Sequence, residues 1–405
     1  MIERDIKYRI QESLKYKEIT ILIGARQVGK TTILKRIMSE LDNVVYFNLD
    51  IEQDNIYFNS QQELIRKTEL EIGTEGGYVV IDEVQQKKDA GRFLKGLYDL
   101  DLPYKFIVTG SGGIELKEKI GEALTGRKYM IKMYPVSFNE FVNYKTRYRY
   151  KNRLESFFEL ENLKTLMLLE EYMSFGGYPA VVAADTIYRK KEIMNEIFTS
   201  YLTRDISILL GVKHPDKFVK MIRLLAVQSG YIINYSQLSQ DVGLRLETLK
   251  TYLWYAEQTF IINLIHPFFT NPKKEITKSP TVYFNDLGLC NFTKTNFSSQ
   301  KNDGMIFQNL VYNLLRGKYE IGLYKINFWR TKDKAEVDFV VQGEEGIIPV
   351  EVKYSELKNM KITRSFRSFI NKYAPKKAIV VNLSLDSITT LNDTEIKFIP
   401  FWKLY

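Results

Sequence analysis

Residues Gly24-Ala25-Arg26-Gln27-Val28-Gly29-Lys30-Thr31-Thr32 match G-x-x-x-x-G-K-[ST] in full. In such a loop Gly24 and Gly29 free the backbone to turn its N–H groups inward around phosphates. Lys30 then reaches the β- and γ-phosphates, and the Thr31 hydroxyl ligates Mg²⁺. Farther along, an apolar run ends in Asp82-Glu83. A carboxylate at the C-terminal end of a buried strand is where Mg²⁺ needs an anchor beyond its directly bound oxygens, which makes Asp82 the metal partner. Glu83 is placed to orient and deprotonate a water, a role that binding alone does not require. Ser111 closes a third apolar run and suits a γ-phosphate sensor or a water-holding group. Arg127 is a candidate cation for transition-state charge, with a surface salt bridge as the alternative.

A second group of charged residues lies near the C-terminus, where Glu336–Val341 and Ile347–Lys353 flank a "QGEEG" turn. Symmetrical pairing about that turn sets Asp338 opposite Glu351 and Glu336 opposite Lys353, all on one face. Like charges with Cβ atoms ~5 Å apart are destabilising unless a cation lies between them. Asp followed by Glu-x-Lys on the adjoining strand is the core of the PD-(D/E)xK nuclease motif. In that reading Asp338 and Glu351 hold Mg²⁺ or Mn²⁺ and Lys353 positions the attacking water. The alternative is a nuclease-like fold kept for binding, with these residues as an ion-pair network.

The elements that must position these residues follow from periodicity. Ile19–Ile23 reads as a buried strand, and Ile33, Leu34 and Ile37 recur at helical spacing. Tyr78–Ile81, "NVVYFNLD" and "YKFIVTGSGG" supply further strands separated by helical segments. That order predicts a doubly wound parallel α/β sheet with nucleotide at the strand C-termini. "LESFFELENLKTLMLLEEYMSF" predicts a helix ending at Gly176-Gly177. "YSQLSQDVGLRLETLKTYLWYAEQ" has the helix-turn-helix pattern, with Gly243 in the turn and Glu247–Tyr255 as second helix. "TFIINLIHPF" and "PTVYFND" are the candidate wing strands. Arg245, Lys250 and Thr251 would face DNA; the alternative is a packing module with Leu249, Leu253 and Trp254 in its core. "KNMKITRSFRSFINKYAPKK" interleaves bases with Phe366, Phe369 and Tyr373. It fits either a nucleic-acid groove or an amphipathic helix with a solvated basic face.

At 405 residues the chain exceeds one ordinary core. The division expected is an ATPase core at 1–140, a helical lid at 141–212, a winged helix at 213–295 and a nuclease-like domain at 296–405. A hydrophobic fraction of 45% and a charged fraction of 26% are those of a folded soluble protein, and no segment reaches a membrane span. The opening "MIERDIKYRI" lacks an apolar signal-peptide core. Cys290 alone excludes an internal disulfide framework and fits a reducing cytoplasm. His214 and His266 are too far apart in sequence to suggest a Cys/His zinc site. A net charge of +9 fits an anionic partner or simple solubility.

The ordered set "GARQVGKTT", "YVVIDEVQ", "VTGSGG", "LTGRKYMIKMYPVSFNEF", "FGGYPAVV", "YLTRDI", "VYFNDLGL" and "EVDFVV…VEVKYS" spans nearly the whole chain. It resembles a family of archaeal and bacterial AAA+-like P-loop ATPases near the origin-recognition and STAND branches. That family joins the ATPase to a C-terminal uncharacterised domain of restriction-endonuclease-like character. The resemblance implies ATP with Mg²⁺, a helical lid after the core, and a homo-oligomer that borrows an arginine, for which Arg204 is a candidate, a purely structural Arg204–Asp205 pair being the alternative. It also implies a carboxylate on the helix before the hairpin, where this chain has Gln308, and a second serine where it has Gly112. An amide ligates a metal without adding charge, so affinity and activation should fall. Two functions follow: a DNA-associated ATPase coupled to a nuclease-like domain, or a STAND-like switch whose C-terminal half binds a protein without catalysis.

Overall fold

The structure is a computed structural model, and it describes residues 1–111, 123–205, 213–271, 273, 275, 278–294, 297, 304–319 and 324–404. Strands β1 (Ile19–Gly24), β2 (Val44–Asn48), β3 (Gly77–Asp82), β4 (Tyr104–Ser111) and β5 (Lys128–Met133) form one sheet in the order β2-β3-β4-β1-β5. Every pairing in it is parallel. β1 is buried along its whole length, as a central strand with helices on both faces must be. The parallel arrangement brings the strand C-termini, and with them Gly24, Asp82 and Ser111, to one edge.

After β5 the chain turns helical. Ser137 caps the helix Phe138–Lys145 in a capping box with Glu140, satisfying two otherwise orphaned N–H groups. The long helix expected over residues 154–175 is two helices, Leu154–Leu160 and Asn162–Phe175, because Glu161 leaves helical torsions at φ −107° and ψ 48°. The "FGGYP" and "NDLGL" segments form one junction. Asp286 accepts from the Gly177 N–H at 2.7 Å and the Leu289 N–H at 2.7 Å. A Cβ on Gly176 would lie 2.4 Å from Asp286 Oδ1, and one on Gly288 would lie 2.0 Å from the Phe175 carbonyl oxygen. These glycines therefore serve backbone contact between the lid and the helical module.

The helix-turn-helix pair comprises Tyr235–Val242 and Leu246–Gln258, joined through Gly243 at φ +75°. Leu249 and Leu253 fill its core, but Trp254 is 37% exposed and Tyr252 and Ala256 take the inner positions. Residue 254 is rotated away from the 249-252-253-256 stripe. Strands β6 (Ile262–Ile265) and β7 (Thr281–Phe284) pair antiparallel. This pair is welded to the C-terminal domain. Asn309 accepts from the Phe284 N–H at 2.8 Å and donates to the Phe284 carbonyl at 2.8 Å. Phe328 N–H donates to the His266 carbonyl at 3.3 Å.

The C-terminal domain is a six-stranded mixed sheet in the order β12-β13-β11-β10-β9-β8. Its strands are β8 (Lys325–Arg330), β9 (Glu336–Gly343), β10 (Gly346–Val352), β11 (Lys377–Asn382), β12 (Ser387–Leu391) and β13 (Thr394–Pro400). The helix Arg364–Tyr373 buries Phe366, Phe369 and Ile370 against Val340, Ala378, Val380 and Phe398. Of the aromatic residues interleaved in this basic segment, Phe366 and Phe369 are buried, and half-buried Tyr373 accepts from Trp329 Nε1 at 3.2 Å, as in an amphipathic helix with a solvated basic face. The final turn Phe401–Leu404 returns to the lid, with Phe401 5.2 Å from the Phe138 ring. Among the described residues no helix is long and apolar enough to cross a membrane.

Candidate functional site

The loop Gly24–Lys30 turns through two left-handed residues, Gln27 at φ 62° and Gly29 at φ 97°. Gly24 has a different duty from the one expected. It ends β1 opposite Met133, and a Cβ there would lie 2.3 Å from the Met133 carbonyl oxygen. Its missing side chain lets β5 approach. Ala25 and Val28 are buried beneath the loop, while Arg26, Gln27 and Thr32 are exposed. Lys30 opens the helix Lys30–Met38 and its Nζ donates to the carbonyls of Gly24 at 3.0 Å and Ala25 at 2.9 Å. Burial pushes the ammonium down to about 8, against the pull of nearby Glu83 and Asp82.

Asp82 is buried and gathers three hydroxyls: Thr31 at 2.7 Å, Tyr46 at 2.9 Å, and Thr109. Thr31 and Asp82, the two residues expected to hold Mg²⁺, are therefore in direct contact. Two hard oxygen donors side by side, next to a phosphate loop, fit an ion that keeps most of its shell as water and phosphate. The sequence reading gave no role to Tyr46 or Thr109: Tyr46 stands in no motif, and in "VTGSGG" the reading took Ser111, two residues beyond Thr109 on the same strand. Glu83 follows in a left-handed conformation at φ 56° and ψ 43°. That torsion is uncommon for a glutamate and turns its side chain off the line of the strand. Its N–H is held by Asp82 Oδ1 at 3.2 Å and Thr109 Oγ1 at 3.3 Å, and Gln85 donates to its carboxylate.

Ser111 ends β4 in register with Gly24, so its backbone stands at the phosphate edge; its side chain lies outside the described residues. The Arg204 side chain and Gly112 also lie outside them. Arg127 needs correction. Its carbonyl accepts from the Ile19 N–H at the start of β1, the far end from the loop. Five residues of strand separate it from Gly24, about 17 Å. It pairs instead with Asp99 at 2.9 Å, so on its own chain it is a surface ion pair.

Arg4, absent from the sequence reading, clamps the loop from the N-terminal segment. It donates to Val28 O at 2.9 Å, to Tyr134 O at 2.6 Å, and pairs with Glu140 at 3.0 Å. Beside it a cavity of about 290 Å³ opens at the start of the Lys30–Met38 helix, lined by Ile2, Val28, Ile33, Tyr144, Pro179 and Ala183 among others.

At the C-terminal hairpin the register is the one expected. Val350 pairs with Phe339, and one further step along β9 and β10 brings Glu351 across from Asp338. The ladder ends before that step. Asp338 Oδ1 accepts from Gln308 Nε2 at 2.6 Å and Oδ2 from the Val352 N–H at 2.7 Å. Glu351 pairs with Lys353 at 2.7 Å and accepts from Thr363 at 3.0 Å. Glu336 departs from the expected cluster, turning to Arg330 at 3.6 Å. Burial, with Glu351 adding to it, pushes the Asp338 carboxyl up to about 7. Gln308 is buried with its Oε1 unpartnered. Among the described residues no three His, Cys, Asp or Glu side chains converge on a metal position.

The comparisons agree with this geometry at the N-terminus. Residues 16–142 match the AAA domain family, 166–301 a domain of unknown function (DUF8612) and 303–404 another (DUF4143). An uncharacterized protein of Methanocaldococcus jannaschii is 27% identical, covering 100% of this chain and 90% of its own length. One from Haemophilus influenzae is 24% identical, covering 98% and 97%. Among solved structures, a Walker-type ATPase of Pyrococcus abyssi aligns with 73% of this chain and 96% of its own, at 14% identity and a TM-score of 0.45. With the parallel sheet, the phosphate loop and the Thr31–Asp82 contact in place, residues 16–142 have the α/β fold of an AAA-type P-loop domain.

Proposed function

We propose that the N-terminal domain binds and hydrolyses ATP. The observation that carries this is the 2.7 Å contact of Thr31 Oγ1 with Asp82 Oδ2, beside Lys30 and directly ahead of Glu83. In the proposed complex the loop N–H groups and Lys30 hold the β- and γ-phosphates. Thr31 and Asp82 would hold Mg²⁺, which supplies charge neutralisation on the phosphates when bound. Glu83 orients the water and takes its proton, and Ser111 contacts the γ-phosphate. The apolar cavity beside Arg4 receives the base. The test is steady-state ATP hydrolysis: Lys30→Ala should abolish binding and turnover. Glu83→Gln should keep binding and lose turnover by on the order of 10²-fold or more. Turnover unchanged in Glu83→Gln would assign the base elsewhere.

For the C-terminal hairpin we propose a phosphodiester site for nucleic acid, with Asp338, Glu351 and the Gln308 amide around a Mg²⁺ or Mn²⁺ position and Lys353 beside it. The two carboxylates and the unpartnered Gln308 Oε1 support it. A second, non-catalytic reading, in which this half binds a protein and the ATPase is a switch, draws on the Gln308–Asp338 bond and the Lys353–Glu351 pair, which engage one oxygen of each carboxylate without metal. Cleavage of labelled DNA with Mn²⁺, lost in Lys353→Ala, decides for the first; no cleavage with ATP hydrolysis intact decides for the second. DNA contact by Arg245, Lys250 and Thr251, all exposed, an in-trans arginine and homo-oligomerisation belong to the same proposal.

A further inference from the structure

The segment 357–376 holds Lys358, Lys361, Arg364, Arg367, Lys372 and Lys376 and no Asp or Glu. All six cations are exposed, and none has a carboxylate partner among the described residues. That is unlike the neighbouring Lys325, Lys377, Lys397 and Lys403, each of which is paired with an acid. The segment is rigidly placed. Phe366, Phe369 and Ile370 anchor the helix Arg364–Tyr373 in the core, leaving Arg364, Arg367 and Lys372 outward. Its position is tied to the hairpin as well: Thr363 caps this helix through the Phe366 N–H and donates to Glu351 at 3.0 Å. A run of unpaired positive charge therefore begins at the proposed phosphodiester site.

We propose that this face is the track for a nucleic-acid backbone leading to the Asp338–Glu351–Lys353 site. The inference rests on the phosphodiester reading of that site and names its substrate: a nucleic acid gripped by its phosphates. Phe366 and Phe369 are buried and Tyr373 is half-buried with its hydroxyl bonded to Trp329, so this face offers charge rather than a stacking platform, and recognition is independent of sequence. Arg364 and Lys372 lie eight residues apart on a helix, about 12 Å, a span wide enough to reach phosphates two steps apart on one strand. An anionic membrane is the other polyanion. Interfacial helices insert apolar side chains, and the one large apolar residue exposed on this segment is Met360.

The test is fluorescence anisotropy of the full chain with random-sequence 30-mer DNA, single- and double-stranded, from 50 to 300 mM salt in EDTA. Without divalent metal the result is separate from cleavage, so a dead nuclease with an intact track remains distinguishable. Binding should weaken steeply with salt. The triple variant Lys361→Gln/Arg364→Gln/Arg367→Gln should bind at least about tenfold more weakly, with its log–log salt slope smaller by about 2 to 3. Arg245→Gln/Lys250→Gln should lose less. These substitutions are outside the core, and an unchanged melting temperature verifies the fold. No binding at 50 mM salt would overturn the proposal. So would an unaltered slope in the triple variant, or capture by phosphatidylserine vesicles in preference to DNA.

Discussion

Asp82 shows how much a single carboxylate depends on its surroundings. A buried carboxylate needs donors for both oxygens, and here they are hydroxyls from three separate elements, Thr31, Tyr46 and Thr109. Thr109→Val is isosteric but leaves Asp82 Oδ1 only the longer bond from the Glu83 N–H. We expect it to lower stability by about 2 kcal/mol, read from the urea midpoint. Mg²⁺-dependent hydrolysis should fall in the same variant, because Asp82 loses its fixed orientation. Arg127 makes the opposite point. Its motif left open a transition-state cation or a surface salt bridge, and its place at the far end of β1, with Asp99 as partner, is that of the salt bridge. Arg127→Ala should leave single-site ATP binding unchanged, as checked by titration with a fluorescent ATP analogue.

At the scale of elements, the junction of the lid with the helical module depends on Asp286. It is fully buried, and burial outweighs its backbone donors, so its pKa is pushed up to about 6. The folded state therefore holds a proton that the unfolded chain, with its ordinary value of 3.8, has released. Between about pH 4 and 6 the native state binds more protons, and stability from this group falls as pH rises. Asp286→Asn should flatten that part of the stability–pH curve relative to wild type, measured by denaturant titration at each pH. The same substitution replaces one acceptor oxygen by NH₂ and should lower stability overall. The β6–β7 pair is an element whose neighbours changed its meaning. β6 and β7 were legible from alternation, but Asn309 and Phe328 attach them to the C-terminal domain.

For the whole molecule, a continuous set of contacts joins the phosphate loop to the C-terminus. Val28 is held by Arg4, Arg4 by Glu140, and the helix carrying Glu140 presents Phe138 to Phe401. Phe158 and Trp402 extend the same contact, and Lys403 pairs with Glu159 at 2.9 Å. We expect nucleotide to bias this set. In hydrogen exchange of Glu83→Gln protein, ATP should slow the amides of 138–145 and 396–402, and Arg4→Ala should remove the difference. Exchange at 396–402 indifferent to nucleotide would uncouple the two halves.

The sequence by itself determined the phosphate loop, the Asp82–Glu83 strand end, the parallel core and the register of the C-terminal hairpin up to Val350–Phe339. Each rests on short-range rules: torsions a glycine permits, the period of a strand, symmetry about a tight turn. Tertiary structure decided what lies beside these residues. It put Gly24 against Met133, Tyr46 and Thr109 on Asp82, Gln308 on Asp338, and Phe366 and Phe369 in a core. It also brought Arg4 to the loop from 24 residues away. Those neighbours come from packing between segments distant in the chain, and no local pattern encodes which of many compatible surfaces will meet.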